Sequence, residues 1–399
     1  MTSLVGEDLK KYLGPVVYKE IDLDFGLPKI PESEHAHRLA PSDRTMRMLM
    51  DNGTIMIQPF LEDDQIQPGS IDLRAGLKVR EMDGTASQLN LDTLEKHTVK
   101  MTELEFGEKM VLYPGHPYLI ESYEAIFLPA NIEGETDTRS TVGRVGVSCL
   151  ALGKKFAHIP STHPIIGPIK IWSATEPYVY RIEMIAGQTR FLQVKFRYKG
   201  TSYMTPDEIK QNYGTEFRIT RDRDGKNEIP LSDILEEDGL KLTLNTQKAF
   251  AQRKNVKKPL DMTRKGYYDP GEFWEVVEAD ENGEIMMDKR RLYLLGSNET
   301  VVFNDACGQL SRADIYAGFG NYLNFAGLIN PYYFGQITHE FWSENKRVLG
   351  QGQHSGRVRI EDLTAPVTMR YGAKSLGSSY SGQLAPTLPK IFRHSSEFE

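Results

Sequence analysis

The chain has 399 residues and a net charge of −7, so it is long enough for two ordinary domains and shows no bias towards nucleic-acid binding. We expect neither a membrane span nor a secretory signal, since no apolar run of about 18 residues is present and no apolar segment follows a basic start. Two cysteines, Cys149 and Cys307, are too few for a disulfide framework or a metal quartet. These features predict a cytoplasmic protein.

The predicted elements are mostly short strands. Residues 1–40 form a polar, proline-containing extension without a readable function. A short helix is predicted between Ser42, as N-cap, and Gly53. Alternating runs broken by Gly and Pro then continue to about residue 200, which is typical of an all-β unit. Thr205 and Pro206 open a second short helix, and Gly214 ends it.

A second β-rich set follows to about residue 370. The tail, GSSYSGQLAPTLPKIF, is rich in Gly, Ser and Pro, and we expect a mobile arm outside the core.

The two β-rich sets resemble one unit used twice, as residues 41–215 and 216–399. Five segment pairs recur in the same order: PGSIDLRAGLKV with EDGLKLTLN, YLIESYEAIFL with YLLGSNETVVF, TRSTVGRVG with SRADIYAGFG, IWS with FWS, and TRFLQVKF with GRVRIEDL. Five ordered pairs indicate an internal duplication.

The stretch 326–343, AGLINPYYFGQITHEFWS, combines a turn with a run that alternates like a half-buried strand. Thr338, Glu340 and Trp342 would face one side, and the residues between them the other. A carboxylate among aromatic side chains is partly desolvated, which raises its pKa and suits it to proton transfer. Glu340 is therefore a candidate general base.

Several motifs resemble the dCTP deaminase and trimeric dUTPase superfamily. They are IQPGSIDLRAG, TRSTVGRVG, AGLINPYYFGQITHEFWS and the tail SSYSGQ, in that order, and the double length resembles the long bacterial type of dCTP deaminase. The resemblance implies a mainly β protein: two tandem dUTPase-like distorted β-barrel units, jelly-roll-like, with a few short helices. It also implies a homo-oligomer, for which we expect a trimer, with sites between subunits.

The resemblance implies that the chain deaminates dCTP to dUTP and ammonia, with Glu340 handling the water proton and Ser140 and Arg144 ordering the water and the triphosphate end. Arg139 could instead serve an ion pair that holds its loop. The implied substrate-binding residues are Arg139, Thr141, Ala326, Ile329, Asn330, Tyr333, Gln336, Lys374, Tyr380 and Gln383.

The resemblance also bears on the metals. Mg²⁺ is expected to accompany the triphosphate. The HxE and PCxxC signature of zinc deaminases is missing, so no zinc is expected.

Each unit departs from the family pattern in a different part. If IWS and FWS are aligned, Lys170 stands opposite Glu340, so the first unit lacks the glutamate. In the second unit the segment SRADIYAGFG offers Ala313 or Asp314 for Ser140, and Ala317 or Gly318 for Arg144. Since each unit has lost what the other kept, we predict one site built from unlike halves, from one chain or from two.

Two alternatives to deamination alone stay open. One is a dUTPase or a bifunctional deaminase–dUTPase, in which an Asp follows the Ile of the hairpin turn as the base. This chain has Asn330 there, and an amide cannot accept a proton at neutral pH. The other is a catalytically inactive nucleotide-binding regulator. The sequence leaves open a preference for modified dCTP or dCMP, and inhibition by dTTP.

Overall fold

The computed structural model describes residues 39–40, 42–59, 63–83, 94–129, 132–151, 155–156, 165–198, 203–237, 239–304, 306–312, 321–323, 326–363, 388–389 and 391–393. The helices are α1 (Asp43–Asp51), α2 (Leu94–His97), α3 (Ser140–Gly143), α4 (Pro206–Asn212), α5 (Leu231–Ile234) and α6 (Pro270–Phe273). None of these described helices has the length and apolar character needed to cross a membrane.

Strands make up most of the described chain. Those up to residue 198 are β1 (Leu39–Ala40), β2 (Met56–Gln58), β3 (Ile71–Met82), β4 (Thr98–Glu103), β5 (Lys109–Leu112), β6 (Tyr118–Pro129), β7 (Ile132–Thr138), β8 (Val147–Ala151), β9 (Lys155–Phe156), β10 (Ile165–Pro177), β11 (Ile182–Ile185) and β12 (Arg190–Tyr198). The later strands are β13 (Phe217–Thr220), β14 (Leu235–Glu236), β15 (Gly239–Gln252), β16 (Leu260–Asp261), β17 (Trp274–Glu278), β18 (Glu284–Met287), β19 (Tyr293–Phe303), β20 (Ala306–Arg312), β21 (Asn321–Leu323), β22 (Leu328–Ile329), β23 (Phe334–Ser343), β24 (Arg347–Gly350) and β25 (His354–Leu363).

Both helices predicted from capping residues are present. The Ser42 side chain accepts from the Thr45 backbone N–H at the start of α1. Thr205 and Glu208 form a capping box at the start of α4, and each satisfies a backbone N–H that the helix leaves without an internal partner. Capping is local chemistry, so the sequence sufficed to place these helix starts.

The two units share one topology. The main sheet of the first unit runs β8-β10-β6-β3-β12-β7-β9, and that of the second runs β21-β23-β19-β15-β25-β20-β22. Read in this direction, every strand of the first order has a counterpart at the same position in the second. β2 pairs with β6 as β13 pairs with β19, and β4 pairs with β3 as β17 pairs with β15. The fold is therefore an internal duplication of one distorted, barrel-like β unit, as the sequence predicted.

A β-bulge that occurs in both units shows which positions of the two copies correspond. The Ser122 hydroxyl accepts from the Ile171 N–H at 3.0 Å, and the Ser297 hydroxyl accepts from the Ile337 N–H at 3.0 Å. Each serine hydroxyl also donates to a carbonyl two residues further along its own strand. This repeated bulge makes Ile171 and Ile337 equivalent positions.

The bulge corrects one detail of the sequence comparison. Counting on from the two isoleucines makes Ala174 the counterpart of Glu340, and the strand pairing agrees, with Ala174 beside Leu119 and Glu340 beside Leu294. The prediction that Lys170 stands opposite Glu340 was wrong. Equivalent positions in the two units follow from the pairing register of the strands. The Trp-Ser pair that recurs in IWS and FWS does not mark equivalent positions. The first unit still lacks a glutamate there.

The two units are joined by a shared apolar core. Trp342 and Leu294 of the second unit belong to the cluster of buried side chains that fills the first unit. The Trp342 and Tyr178 ring centroids lie 4.9 Å apart across the boundary between the units. Apolar side chains of both units are therefore buried against each other, and this burial stabilises the contact between the units.

A buried ionic contact also crosses the boundary between the units. Glu361 of β25 accepts from Lys195 at 2.6 Å and from Arg197 at 2.5 Å, both on β12. All three side chains are at most 5% exposed. Such a contact specifies how the halves meet, because a buried charge is costly when its partner is lost.

The end of the predicted mobile arm lies in the core, which corrects that expectation. Leu388, Ile391 and Phe392 are buried. The Ile391 carbonyl accepts from the Tyr268 N–H at 3.0 Å, and the Phe392 and Phe273 ring centroids lie 5.4 Å apart. Composition predicted mobility from Gly, Ser and Pro, but the apolar residues at its end bury against aromatic rings. Residues 364–387 lie outside the described part of the chain.

Candidate active site

The Ser and Arg motif forms a single tight turn after strand β7. Ser140–Gly143 is one short helical turn, and Arg144 closes it. The Arg144 Nε donates to the Ser140 carbonyl at 3.2 Å, and Arg144 is 2% exposed. Gly146 follows at a φ of +71°, where a Cβ would lie 2.9 Å from a Val179 methyl group. Glycine is therefore required at position 146, where the chain leaves the turn. The turn places the buried Arg144 guanidinium at the boundary between the units.

Arg139 holds this turn to the first unit. Its guanidinium lies 2.8 Å from the Asp72 carboxylate and donates to the Arg190 carbonyl at 3.3 Å. Burial raises the pKa of the Asp72 carboxyl, and Arg139 opposes that shift. Arg139 does not line the cleft described below, and it makes the kind of ion pair that the sequence offered as an alternative. Thr141 does not line that cleft either.

Strand β23 directs Glu340 towards the first unit. Thr338 and Glu340 line the cleft, and Trp342 enters the core of the first unit, as the alternation predicted, but Ile337 of the opposite face lines the cleft as well. Glu340 is 2% exposed. His339, on the other face, is within hydrogen-bonding distance of the Ser355 hydroxyl, at 3.0 Å. Burial lowers the pKa of His339 to about 3, so it is a neutral core side chain.

One cleft brings the two halves together within one chain. Its volume is about 630 Å³ with its open mouth included. The first unit contributes Ser140, Arg144 and Gln193. The second contributes the remaining lining residues: Leu310, Ala326, Gly327, Leu328, Ile329, Asn330, Tyr333, Ile337, Thr338 and Glu340. The cleft therefore presents side chains of both units to one space.

Hydrogen bonds within the second unit hold the hairpin between Ile329 and Gln336. The Tyr333 hydroxyl donates to the Gln336 carbonyl at 2.5 Å, and the Gln336 amide donates to the Ser297 carbonyl at 2.7 Å. Gln336 does not line the cleft, because its side chain is directed to β19. The Asn330 Oδ1 is buried and has no hydrogen-bond partner among the described residues. It is therefore an acceptor available to a ligand in the cleft.

Asp137 and Gln193 are site residues that the sequence reasoning missed. Asp137 accepts from the backbone N–H of Gly327 at 2.8 Å and of Leu328 at 3.0 Å, so it links the two units beside the cleft. Burial raises the pKa of the Asp137 carboxyl, and these donors oppose the shift. Gln193 donates to the Thr138 carbonyl at 3.2 Å. The available signal for Asp137 was its place directly before the TRSTVGR motif.

The implied substrate residues of the tail, Lys374, Tyr380 and Gln383, lie outside the described residues, and so do residues 313–320 of the degraded second motif.

Both cysteines lie buried in the described part of the chain, as free thiols. Burial raises the pKa of the Cys149 thiol to about 11 and that of Cys307 to about 12, which disfavours the thiolate that zinc binds. Within the described ranges, no three His, Cys, Asp or Glu side chains come close enough to hold a metal ion. A Mg²⁺ that entered with a triphosphate would rely on phosphate oxygens and water.

Two family models match the chain, one in each unit. Residues 41–157 match the model described as dCTP deaminase-like. Residues 227–392 match the model described as 2'-deoxycytidine 5'-triphosphate deaminase (DCD), C-terminal domain. Together the two matches span most of the chain.

Curated relatives match a shorter stretch. The dCTP deaminase of Shewanella oneidensis is 34% identical over 115 residues, which is 27% of this chain and 60% of that protein. The dUMP-forming dCTP deaminase of Corynebacterium glutamicum is 34% identical over 111 residues, 27% of this chain and 56% of that protein. The chain thus spans little more than half the length of these relatives.

A solved structure matches almost the whole fold. The 2'-deoxycytidine 5'-triphosphate deaminase from Agrobacterium tumefaciens aligns with a TM-score of 0.68 and 20% identity, covering 83% of this chain and 99% of that one. At this identity the likeness shows the shared fold.

Proposed function

Because this chain belongs to the dCTP deaminase family, we propose that it converts dCTP and water to dUTP and ammonia. The observation that carries the proposal is the single cleft lined by Ser140, Arg144 and Glu340. The cleft combines a carboxylate that can move protons with a buried guanidinium that can stabilise negative charge.

The proposed reaction uses Glu340 twice. Its carboxylate takes one proton from a water molecule as the oxygen bonds to C4 of the cytosine ring, and it passes this proton to the ring nitrogen. It then takes the second proton from the new C4 hydroxyl and passes it to the amino group. Collapse of the tetrahedral centre then breaks the C4–N bond and releases ammonia. Since Glu340 is 2% exposed, bulk water does not compete as the proton acceptor.

Arg144 and Ser140 would act on the same tetrahedral centre. A fixed guanidinium in a water-poor cleft stabilises developing charge more strongly than it would in bulk water. The Arg144 Nε donates to the Ser140 carbonyl, so the turn itself orients the arginine. Ser140 offers a hydroxyl that can donate to the attacking oxygen.

We propose that the hairpin binds the nucleoside through Ala326, Ile329, Asn330 and Tyr333, which line the cleft. Lys374, Tyr380 and Gln383 remain proposed contacts to the sugar and phosphates, by family resemblance. Mg²⁺ is proposed to enter as a complex with the triphosphate. Oligomerisation as a trimer, inhibition by dTTP and a cytoplasmic location also remain proposals.

Release of dUMP is the second candidate activity, because several similar relatives are named dUMP-forming. Against it stands Asn330, whose neutral amide cannot act as the base for attack on phosphorus. We therefore expect dUTP to be the product that leaves the site.

The test is to incubate the purified protein with dCTP and Mg²⁺ and to resolve dUTP, dUMP, pyrophosphate and ammonia. We expect dUTP and ammonia in equal amounts, without pyrophosphate. A protein that binds dCTP and forms no product would contradict the proposed activity and favour a regulator. Formation of dUMP as the main product, in protein free of contaminating dUTPase, would assign the bifunctional activity instead.

A further inference from the structure

We propose that Asp137 is a positioning residue, which holds the substrate-binding segment 326–328 of the second unit in register with the Ser140 and Arg144 turn of the first. The effect on turnover rests on the proposed deamination, whereas the structural link does not. Asp137 lies at the end of β7, directly before the turn.

Four N–H donors converge on the Asp137 carboxylate. Oδ2 accepts from the Gly327 N–H at 2.8 Å, from the Leu328 N–H at 3.0 Å and from the Gln309 amide at 3.3 Å. Oδ1 accepts from the Thr138 N–H at 2.8 Å. The first three donors belong to the second unit and the fourth to the first, so one carboxylate joins both sides of the cleft.

Segment 326–328 is also hydrogen-bonded to strand β20. The Gly327 carbonyl accepts from the Leu310 N–H at 2.7 Å, so both backbone polar groups of Gly327 are used. A Cβ on Gly327 would lie 2.5 Å from the Gln309 amide nitrogen and 3.0 Å from the Leu310 carbonyl oxygen. The segment therefore has one position between strand β20 and Asp137, which fixes Ala326 in the cleft wall.

The contact requires a carboxylate in particular. An asparagine could turn its oxygen to the Gly327 and Leu328 donors, but its NH₂ would then face the Thr138 N–H. The opposite orientation would place the NH₂ against the donors of the second unit. Either way a donor meets a donor and the negative charge is lost, so Asp137→Asn keeps the shape and weakens the link.

The experiment compares Asp137→Asn with the wild-type chain and with Glu361→Gln. Glu361 makes another buried polar contact between the units and does not line the cleft. We measure hydrogen exchange at the Gly327 and Leu328 amides in the free protein, the Kd for dCTP, kcat and KM for deamination, and Tm.

For Asp137→Asn we expect the two amides to exchange about 10–100-fold faster, because each loses a charge-assisted acceptor. We expect kcat/KM to fall about 10²-fold, since a small misplacement of a substrate-binding segment has that effect. Glu361→Gln should lower Tm while leaving exchange at Gly327 and Leu328 and the KM unchanged.

Three outcomes would overturn the proposal: unchanged exchange at Gly327 and Leu328, unchanged kcat/KM in Asp137→Asn, or an equal loss of kcat/KM in Glu361→Gln. The last result would mean that Asp137 only joins the units. If the wild-type chain does not deaminate dCTP, the proposed function fails. Faster exchange and weaker dCTP binding in Asp137→Asn would then still support the positioning role.

A second variant covers the case in which Asp137→Asn does not fold. Gln309→Glu places a second carboxylate against Asp137 at the half-buried Gln309 position. We expect the same changes in exchange and kcat/KM, smaller in size, and their absence in a folded Gln309→Glu protein would refute the positioning role.

Discussion

At the scale of single residues, the described lining of the cleft has one carboxylate, Glu340, and one guanidinium, Arg144, among apolar and neutral polar groups. Arg144 and Ser140 face the same cleft from the other unit. Among the described lining residues, Glu340 is the one carboxylate and Arg144 the one guanidinium. Each therefore has a distinct chemical role, which single substitutions can test.

Glu340→Gln is expected to lower kcat about 10²–10⁴-fold, because it removes the proposed general base while keeping the shape of the side chain. The Kd for dCTP should change little. Steady-state kinetics and calorimetric titration measure the two effects.

The matched control is Glu344→Gln, just beyond the end of β23, where the carboxylate is 46% exposed and pairs with Arg290 at 2.6 Å. Its kcat should equal that of the wild type. More than a tenth of wild-type turnover in Glu340→Gln would remove Glu340 from the proposed mechanism.

At the scale of elements, strand β23 serves two purposes through its two faces. One face places Glu340 in the cleft and Trp342 in the neighbouring core. The other buries His339, which is fully inaccessible, beside Ser355. The period of two along a strand therefore couples the position of Glu340 to the packing of the second unit.

The buried His339 predicts a loss of stability in acid. Its pKa is about 3 in the folded protein and about 6.5 in an unfolded chain, so the unfolded state binds the extra proton between these values. The contribution of His339 is present above pH of about 6.5 and declines by about 1 kcal/mol per pH unit below it. Urea unfolding at several pH values measures the slope.

His339→Gln is the comparison, because glutamine is uncharged throughout and can still pair with Ser355. The pH dependence of its unfolding free energy should be flatter than that of the wild type below pH of about 6.5. Equal slopes in the two proteins would show that His339 is not the group responsible.

At the scale of the whole molecule, the chain is a duplicated unit in which one cleft uses unlike parts of the two copies. Ser140 and Arg144 come from the first copy and Glu340 from the second, within one chain. Ala174 occupies the position of Glu340 in the first copy. A site that needs one copy of each part tolerates loss of the other copy.

This arrangement predicts the result of a mixing experiment. Arg144→Ala and Glu340→Gln proteins, mixed after dissociation and reassembly, should recover no activity, because each chain keeps its own defective site. Calorimetric titration of the Glu340→Gln protein with dCTP should give one site per chain. Recovery of activity would place the two halves in different chains, and two equivalent sites per chain would refute the shared cleft.

The sequence by itself determined the β class, the duplication, the starts of α1 and α4, and the two motifs that line the cleft. These features are local. Alternation along a strand, a capping serine or threonine and a glycine at a positive φ act within a few residues, so the chain order records them.

Only the tertiary structure decided which side chains meet. It placed Ala174 opposite Glu340, brought both motifs into one cleft of a single chain, packed Phe392 into the core, and directed the Asp137 carboxylate to Gly327. Each of these depends on strand register or on contacts across the boundary between the units. Register is set by hydrogen bonds and burial between segments far apart in the chain, and no pattern within one segment specifies it.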